Sequence, residues 1–159
     1  MSPGPASPSL ALKVPPPVVA LVFAAVMWVL SRLVVTAQTS VPNRTVLVIG
    51  LVLIGVLFGF SAMGAFLRAR TTMNPTKPET TSTLVTRGVF RITRNPMYVS
   101  LVFYLAAWCV YLSNWVAPLL LPVFVLYIDR YQIKPEERAL MERYGPEFAA
   151  YKARVRRWL

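Results

Sequence analysis

Arg94, Asn95, Pro96 and Tyr98 stand together at the start of an apolar run, and Glu136-Glu137 follow beyond the next apolar hairpin. Polar groups held at the edge of a bilayer are costly and call for a function. Arg94 can fork onto a carboxylate, and Asn95 offers both a donor and an acceptor. Pro96 starts the run, so the spare backbone N–H groups of a helix N-terminus favour an anion there. Tyr98, one turn or less inside, can face the same site. Glu136 and Glu137 can accept from an ammonium or a ribose hydroxyl. A charged cofactor carrying carboxylate, ammonium, ribose and a cationic sulfur suits this mixture.

The rest of the chemistry is bounded by what the chain lacks. It has no histidine, which removes imidazole bases, imidazole metal ligands and Ser-His-Asp catalysis. One cysteine, Cys109, excludes an intrachain disulfide and a cysteine zinc site, and it reads as a small packing residue. No metal is expected. Neither a phosphate-binding G-x-x-x-x-G-K-[ST] nor a G-x-G-x-x-G stands in the sequence.

The elements that must position these residues are membrane helices. Of 159 residues, 56% are hydrophobic, above the roughly 45–50% of soluble domains. Residues 1–15, rich in Pro, Ser and Ala, read as a disordered lead-in to a single domain over 16–159. Apolar runs cover about Val18–Val35, Thr45–Leu67, Met97–Leu112 and Trp115–Ile128. A signal peptide competes for the first run, since Val35-Thr36-Ala37 loosely fits a cleavage site; its length and weakly basic flank favour a retained helix. Gly55 and Gly59 form a G-x-x-x-G pair for close packing, within the bundle or between protomers. Pro118 and Pro122 predict a short or kinked fourth helix, and Ser113-Asn114 a tight hairpin before it. After Asp129, Pro135–Tyr144 reads as an amphipathic helix stopped by Gly145, with Pro146 opening another. The expected fold is an all-α integral membrane protein of about four transmembrane helices with cytoplasmic C-terminal amphipathic helices.

Charge sets the orientation. The net charge is +11, from seventeen Lys plus Arg against six Asp plus Glu. Six cations lie in 68–95 and eight beyond residue 128, while the opposite connections carry only Arg44. The positive-inside rule therefore puts both basic segments and both termini in the cytoplasm, and four helices satisfy that parity. Anionic lipid headgroups, rather than nucleic acid, are the expected partners of this charge. The uncharged middles of the second, third and fourth runs argue against proton-coupled transport.

Singly, each polar residue also has an ordinary reading as a topology signal, a first-turn helix charge or an interface aromatic. In order, they carry more. Arg94-Asn95-Pro96-Met97-Tyr98, then Trp108 on the same helix, then Glu136-Glu137, resembles the isoprenylcysteine carboxyl methyltransferase family, and the related phospholipid N-methyltransferases are similar. The resemblance covers about 68–159, with Leu84-Val85-Thr86-Arg87-Gly88-Val89-Phe90 before the core motif and Tyr144-Gly145-Pro146-Glu147-Phe148 and Tyr151 after it. It implies an integral membrane enzyme that uses S-adenosyl-L-methionine. Leu84, Val85 and Phe90, with Gly88 in the same segment, would line the cofactor pocket. Asn95, Pro96, Met97 and Tyr98 would contact the methionine and sulfonium region, and Glu136 a polar end. Arg94, Asn95 and Tyr98 are the candidate catalytic group, with Arg94 and Glu137 also ordering the site.

The pattern differs at two places. The eukaryotic enzymes carry His where this chain has Asn95, which can hydrogen-bond but not shuttle a proton at neutral pH. Gln132 stands where the prenylcysteine enzymes place a substrate-contacting Arg, for which Arg130 or Lys134 could substitute. Trp108 and Arg130 are thus the substrate-side candidates. Methyl transfer is an in-line displacement from a sulfonium and needs mainly alignment and a dry site. A lipophilic acceptor bearing a carboxylate, thiol or amine would arrive from the bilayer. A bacterial inner membrane is the expected location. A membrane scaffold, a small transporter and an NADPH-dependent reductase relative are the rival readings.

Overall fold

The computed structural model describes residues 14–69 and 83–159. Helix α1 spans Pro16–Leu33, α2 Arg44–Ala69, α3 Pro96–Leu112, α4 Leu120–Ile128 and α5 Lys134–Arg154. Among the described residues, α1 and α2 are long and apolar enough to cross a membrane. By its length α2 reaches about 39 Å, beyond the roughly 30 Å hydrocarbon core. Its buried residues are Gly55 and Ala62, while Val46, Leu57, Phe60 and Leu67 are exposed. An apolar surface this continuous is not kept in water. The molecule is a membrane protein.

The ends of these helices follow from their residues. Pro16 and Pro96 open α1 and α3, where a missing N–H breaks no bond. Ser113 ends α3 in the left-handed region at φ 50°, its N–H donating back to the carbonyls of Cys109 and Val110. Asn114 then holds the hairpin: its Nδ2 donates to Val34 O at 3.0 Å and its Oδ1 accepts from Val116 N at 2.9 Å. Thr39 N donates to Ser113 O and Trp115 N to Ala37 O, so the two loops at this end are pinned together. The prolines of the fourth run shorten its helix as expected. A 3-10 turn at Ala117–Leu119 precedes α4.

One feature was not legible. Asp129–Ile133 forms a π turn that joins α4 to α5 without a loop. Pro135 supplies the cause, because it has no N–H for the Tyr131 carbonyl and its ring crowds that carbonyl in an α-helix. The wider turn relieves both. Midway along α5 the expected stop appears as a kink, since Gly145 sits at φ 46° and ψ −118°, a backbone L side chains rarely adopt, and Pro146 opens the second half.

The core lies where α3 meets α1 and α4, around Met27, Leu105, Phe124, Ile128 and Ile133. Phe23 meets Phe124 edge-on at 5.3 Å, and Cys109 is buried against Met27. The lead-in is anchored at its end: Val14 O accepts from the buried Gln132 Nε2 at 2.9 Å. The remainder of that expected disordered lead-in, residues 1–13, lies outside the described residues.

The contact between α2 and α3 answers the question left by the paired glycines. A Cβ on Gly55 would fall 2.6 Å from Tyr104 Cε1 and 3.2 Å from Ser100 O, so the glycine face packs inside the bundle. Gly64 has open space around it. Gly55→Val should lower stability by about 1–3 kcal/mol through overpacking. Gly64→Ala should raise it by up to ~1 kcal/mol through helix propensity. Thermal unfolding in detergent reads both, and equal effects would show a looser α2–α3 approach than described.

Candidate functional site

The approach to α3 is built from its partners upward. A 3-10 turn at Gly88–Arg91 turns Phe90 inward, where its ring meets Phe66 of α2 edge-on at 5.3 Å. Tyr151 of α5 fixes the same turn, its hydroxyl donating to Phe90 O at 2.7 Å. Burial pushes the Tyr151 phenol upward, so it stays a neutral donor. The chain's last residues are sewn onto residues 93–95. Arg94 N donates to Arg156 O at 2.9 Å, Thr93 Oγ1 to Arg157 O at 3.0 Å, and Asn95 Nδ2 to Arg157 O at 2.9 Å.

Glu137 is the charged centre of this arrangement. Its Oε1 accepts from Arg94 Nη2 at 2.8 Å and Nε at 3.2 Å, and its Oε2 from Arg157 Nη2 at 2.6 Å. Lys152 Nζ stands 3.8 Å away. Arg94 donates further to the carbonyls of Lys152 and Val155. Arg157 reaches Asp129 Oδ1 at 2.8 Å. Burial alone would raise the Glu137 carboxyl, but the hydrogen bonds from Arg157 and Arg94 outweigh it and hold the group below its ordinary value. Both Arg94 and Glu137 keep 9% of their side-chain surface exposed.

Glu136, the next residue, is left almost unpartnered. Tyr98 Oη donates to its Oε1 at 2.7 Å, and among the described residues no cation pairs with it. Burial raises its pKa, the Tyr98 hydrogen bond pulls the other way, and the Glu137 charge adds to the rise, to about 8.

Above this pair opens a cavity of about 560 Å³. Leu84, Val85, Phe90, Arg94, Asn95, Pro96, Met97, Tyr98, Glu136 and Glu137 all line it, so the sequence-derived set converges on one place. Its other walls are Pro15 just ahead of α1, Pro16 and Pro17 of α1, Gly59 and Phe66 of α2, Ser100 and Leu101 of α3, and Leu140, Phe148 and Tyr151 of α5. The lining is mainly apolar, with its charge gathered at Arg94, Glu136 and Glu137.

Three expected residues lie elsewhere. Trp108 donates from Nε1 to Ala24 O at 3.0 Å and stacks on Tyr111, tying α3 to α1 away from the cavity. Arg130 lines a separate groove with Lys134 and Arg138. Gly88 stands exposed at the head of its 3-10 turn with φ 63°, where its contribution is backbone shape. Arg94 faces the cavity, but its bonds make it a positioning residue. Arg157 and Tyr151 do comparable work; Tyr151 fell within the quoted motif, while Arg157 had no signal beyond a basic tail.

Residues 43–147 match the phospholipid methyltransferase family. That match spans Tyr98 and both glutamates. The chain belongs to the phospholipid methyltransferase family. Its members are membrane methyltransferases that generally use S-adenosylmethionine. An uncharacterized protein of Haemophilus influenzae is 44% identical over 63 residues, which are 40% of this chain and 100% of that relative. No solved structure matches the chain.

Removing the central carboxylate tests the site's architecture. Glu137→Gln leaves Arg94 without a counter-charge and Arg157 with Asp129 alone, and should cost about 3 kcal/mol. The pH dependence has a definite sign. Because the folded-state pKa is depressed, this stability is present above the ordinary value of 4.5 and is lost as pH falls through the lower folded value. Thermal unfolding from pH 7 to pH 3 should show an acid loss in the wild type that is smaller in Glu137→Gln.

Proposed function

We propose that the cavity holds S-adenosyl-L-methionine beside a lipophilic methyl acceptor drawn from the bilayer. The observation that carries this reading is Glu136: a carboxylate with one hydroxyl partner and, among the described residues, no cation, facing a mainly apolar cavity. A ligand bearing an ammonium, hydroxyls and a cationic sulfur supplies what that carboxylate lacks. Leu84, Val85, Phe66 and Phe90 offer apolar walls for a nucleoside. The residues fit the cofactor, which when bound supplies an electrophilic methyl on sulfur.

The cavity's reach into the helices supports a lipophilic acceptor. Gly59 lies about 15 Å along α2 from Ala69, and with Ser100 and Leu101 it lines the deeper wall. Among the described lining residues Arg94 is the cation, and Glu137 already engages it. A carboxylate acceptor would therefore meet Glu136 with no unengaged cation to hold it. An amine suits the site better, since it asks for no cation from the protein. In the same reading α3 and the Ala117–Ile128 segment complete four crossings of an inner membrane, with the cavity and both termini on the cytoplasmic side.

Isothermal titration of the detergent-purified chain with S-adenosylhomocysteine tests the cofactor reading. Wild type should bind, with affinity roughly tenfold weaker at pH 7 than at pH 9, because a carboxyl with a pKa near 8 is then only about one-tenth ionised. Glu136→Gln should weaken binding about tenfold at pH 9 and flatten the pH profile. Tyr98→Phe should weaken it by a few-fold. A well-folded wild type that does not bind would sink the reading.

A further inference from the structure

A second concavity, of about 570 Å³, lies on the other side of Glu137 from the cavity. Arg130, Lys134, Arg138, Lys152 and Arg157 line it, against Glu137 as its lining carboxylate. The nearby acids are already engaged: Glu137 by Arg94 and Arg157, and Asp129 by Arg157 and by Lys134 at 3.2 Å. Arg130 and Arg138 form no ion pair among the described residues, and both are exposed. Positive charge is thus concentrated in a concave place with more cations than its acids can use.

The groove's height along the fold narrows its ligand. Arg130 and Tyr131 sit in the π turn directly after Ile128, the last residue of apolar α4. Basic and aromatic side chains at that level meet lipid headgroups. Two unpaired guanidinium groups, each a planar fork, match the oxygens of a phosphate. We propose that this groove is a phosphate-binding site, filled by the headgroup phosphate of an anionic phospholipid. The site is separate from the cavity and does not depend on the cofactor reading. Glu137 forms the wall between the two.

The test is thermal unfolding of the full chain in neutral detergent at constant ionic strength. One arm titrates phosphatidylglycerol against phosphatidylcholine in mixed micelles, and the other titrates inorganic phosphate against chloride. Wild type should be stabilised, and the Arg130→Gln/Arg138→Gln variant should need about tenfold more ligand for the same shift. Arg32→Gln/Arg68→Gln, which removes two exposed cations elsewhere, should respond as wild type does. A response to phosphatidylglycerol alone assigns the headgroup, whereas a response to inorganic phosphate alone keeps the site but replaces the lipid with a soluble anion. Equal losses in the two double variants would reduce the groove to diffuse surface charge, and an unresponsive wild type would remove the site.

Discussion

The architecture of this site depends on one carboxylate held by two arginines. Glu137 fixes Arg94 from the α3 approach and Arg157 from the chain's last residues, and so joins elements distant in sequence. At low exposure each charge is tolerable only because the others are present. The backbone bonds of residues 93–95 to Arg156 and Arg157 run parallel to these ion pairs. Together they set where α3 begins and hence where Tyr98 points.

Glu136 and Glu137 show how one helix gives two identical side chains different work. Successive residues on a helix point about 100° apart, so one carboxylate meets the arginines while the other meets the cavity. The first is saturated and kept ionised. The second accepts a hydrogen bond from the Tyr98 hydroxyl, and burial pushes its pKa up to about 8. Divergent environments for neighbouring acids separate a structural role from a chemical one.

Much of this was written in the sequence, for identifiable reasons. Apolar length placed α1, α2 and α3 to within a few residues, and the Arg94–Tyr98 and Glu136-Glu137 motifs led to a single cavity. The π turn was hidden because it changes helical register by one residue without altering composition. Arg157 was hidden because, among several basic residues of a tail, only three-dimensional contact distinguishes the one that closes an ion cluster. Trp108 misled for the opposite reason: it shares a helix with Tyr98, but its indole serves a helix contact.

The join between α4 and α5 has a mechanical meaning. With no loop to absorb movement, the helical rod that begins at Leu120 continues through Ile133 into the residues that carry both glutamates. In the proposed four-crossing arrangement, its lean in the bilayer and the aim of Glu136 would be one variable. The thickness and lateral pressure of the surrounding lipid would then enter the geometry of the cavity directly.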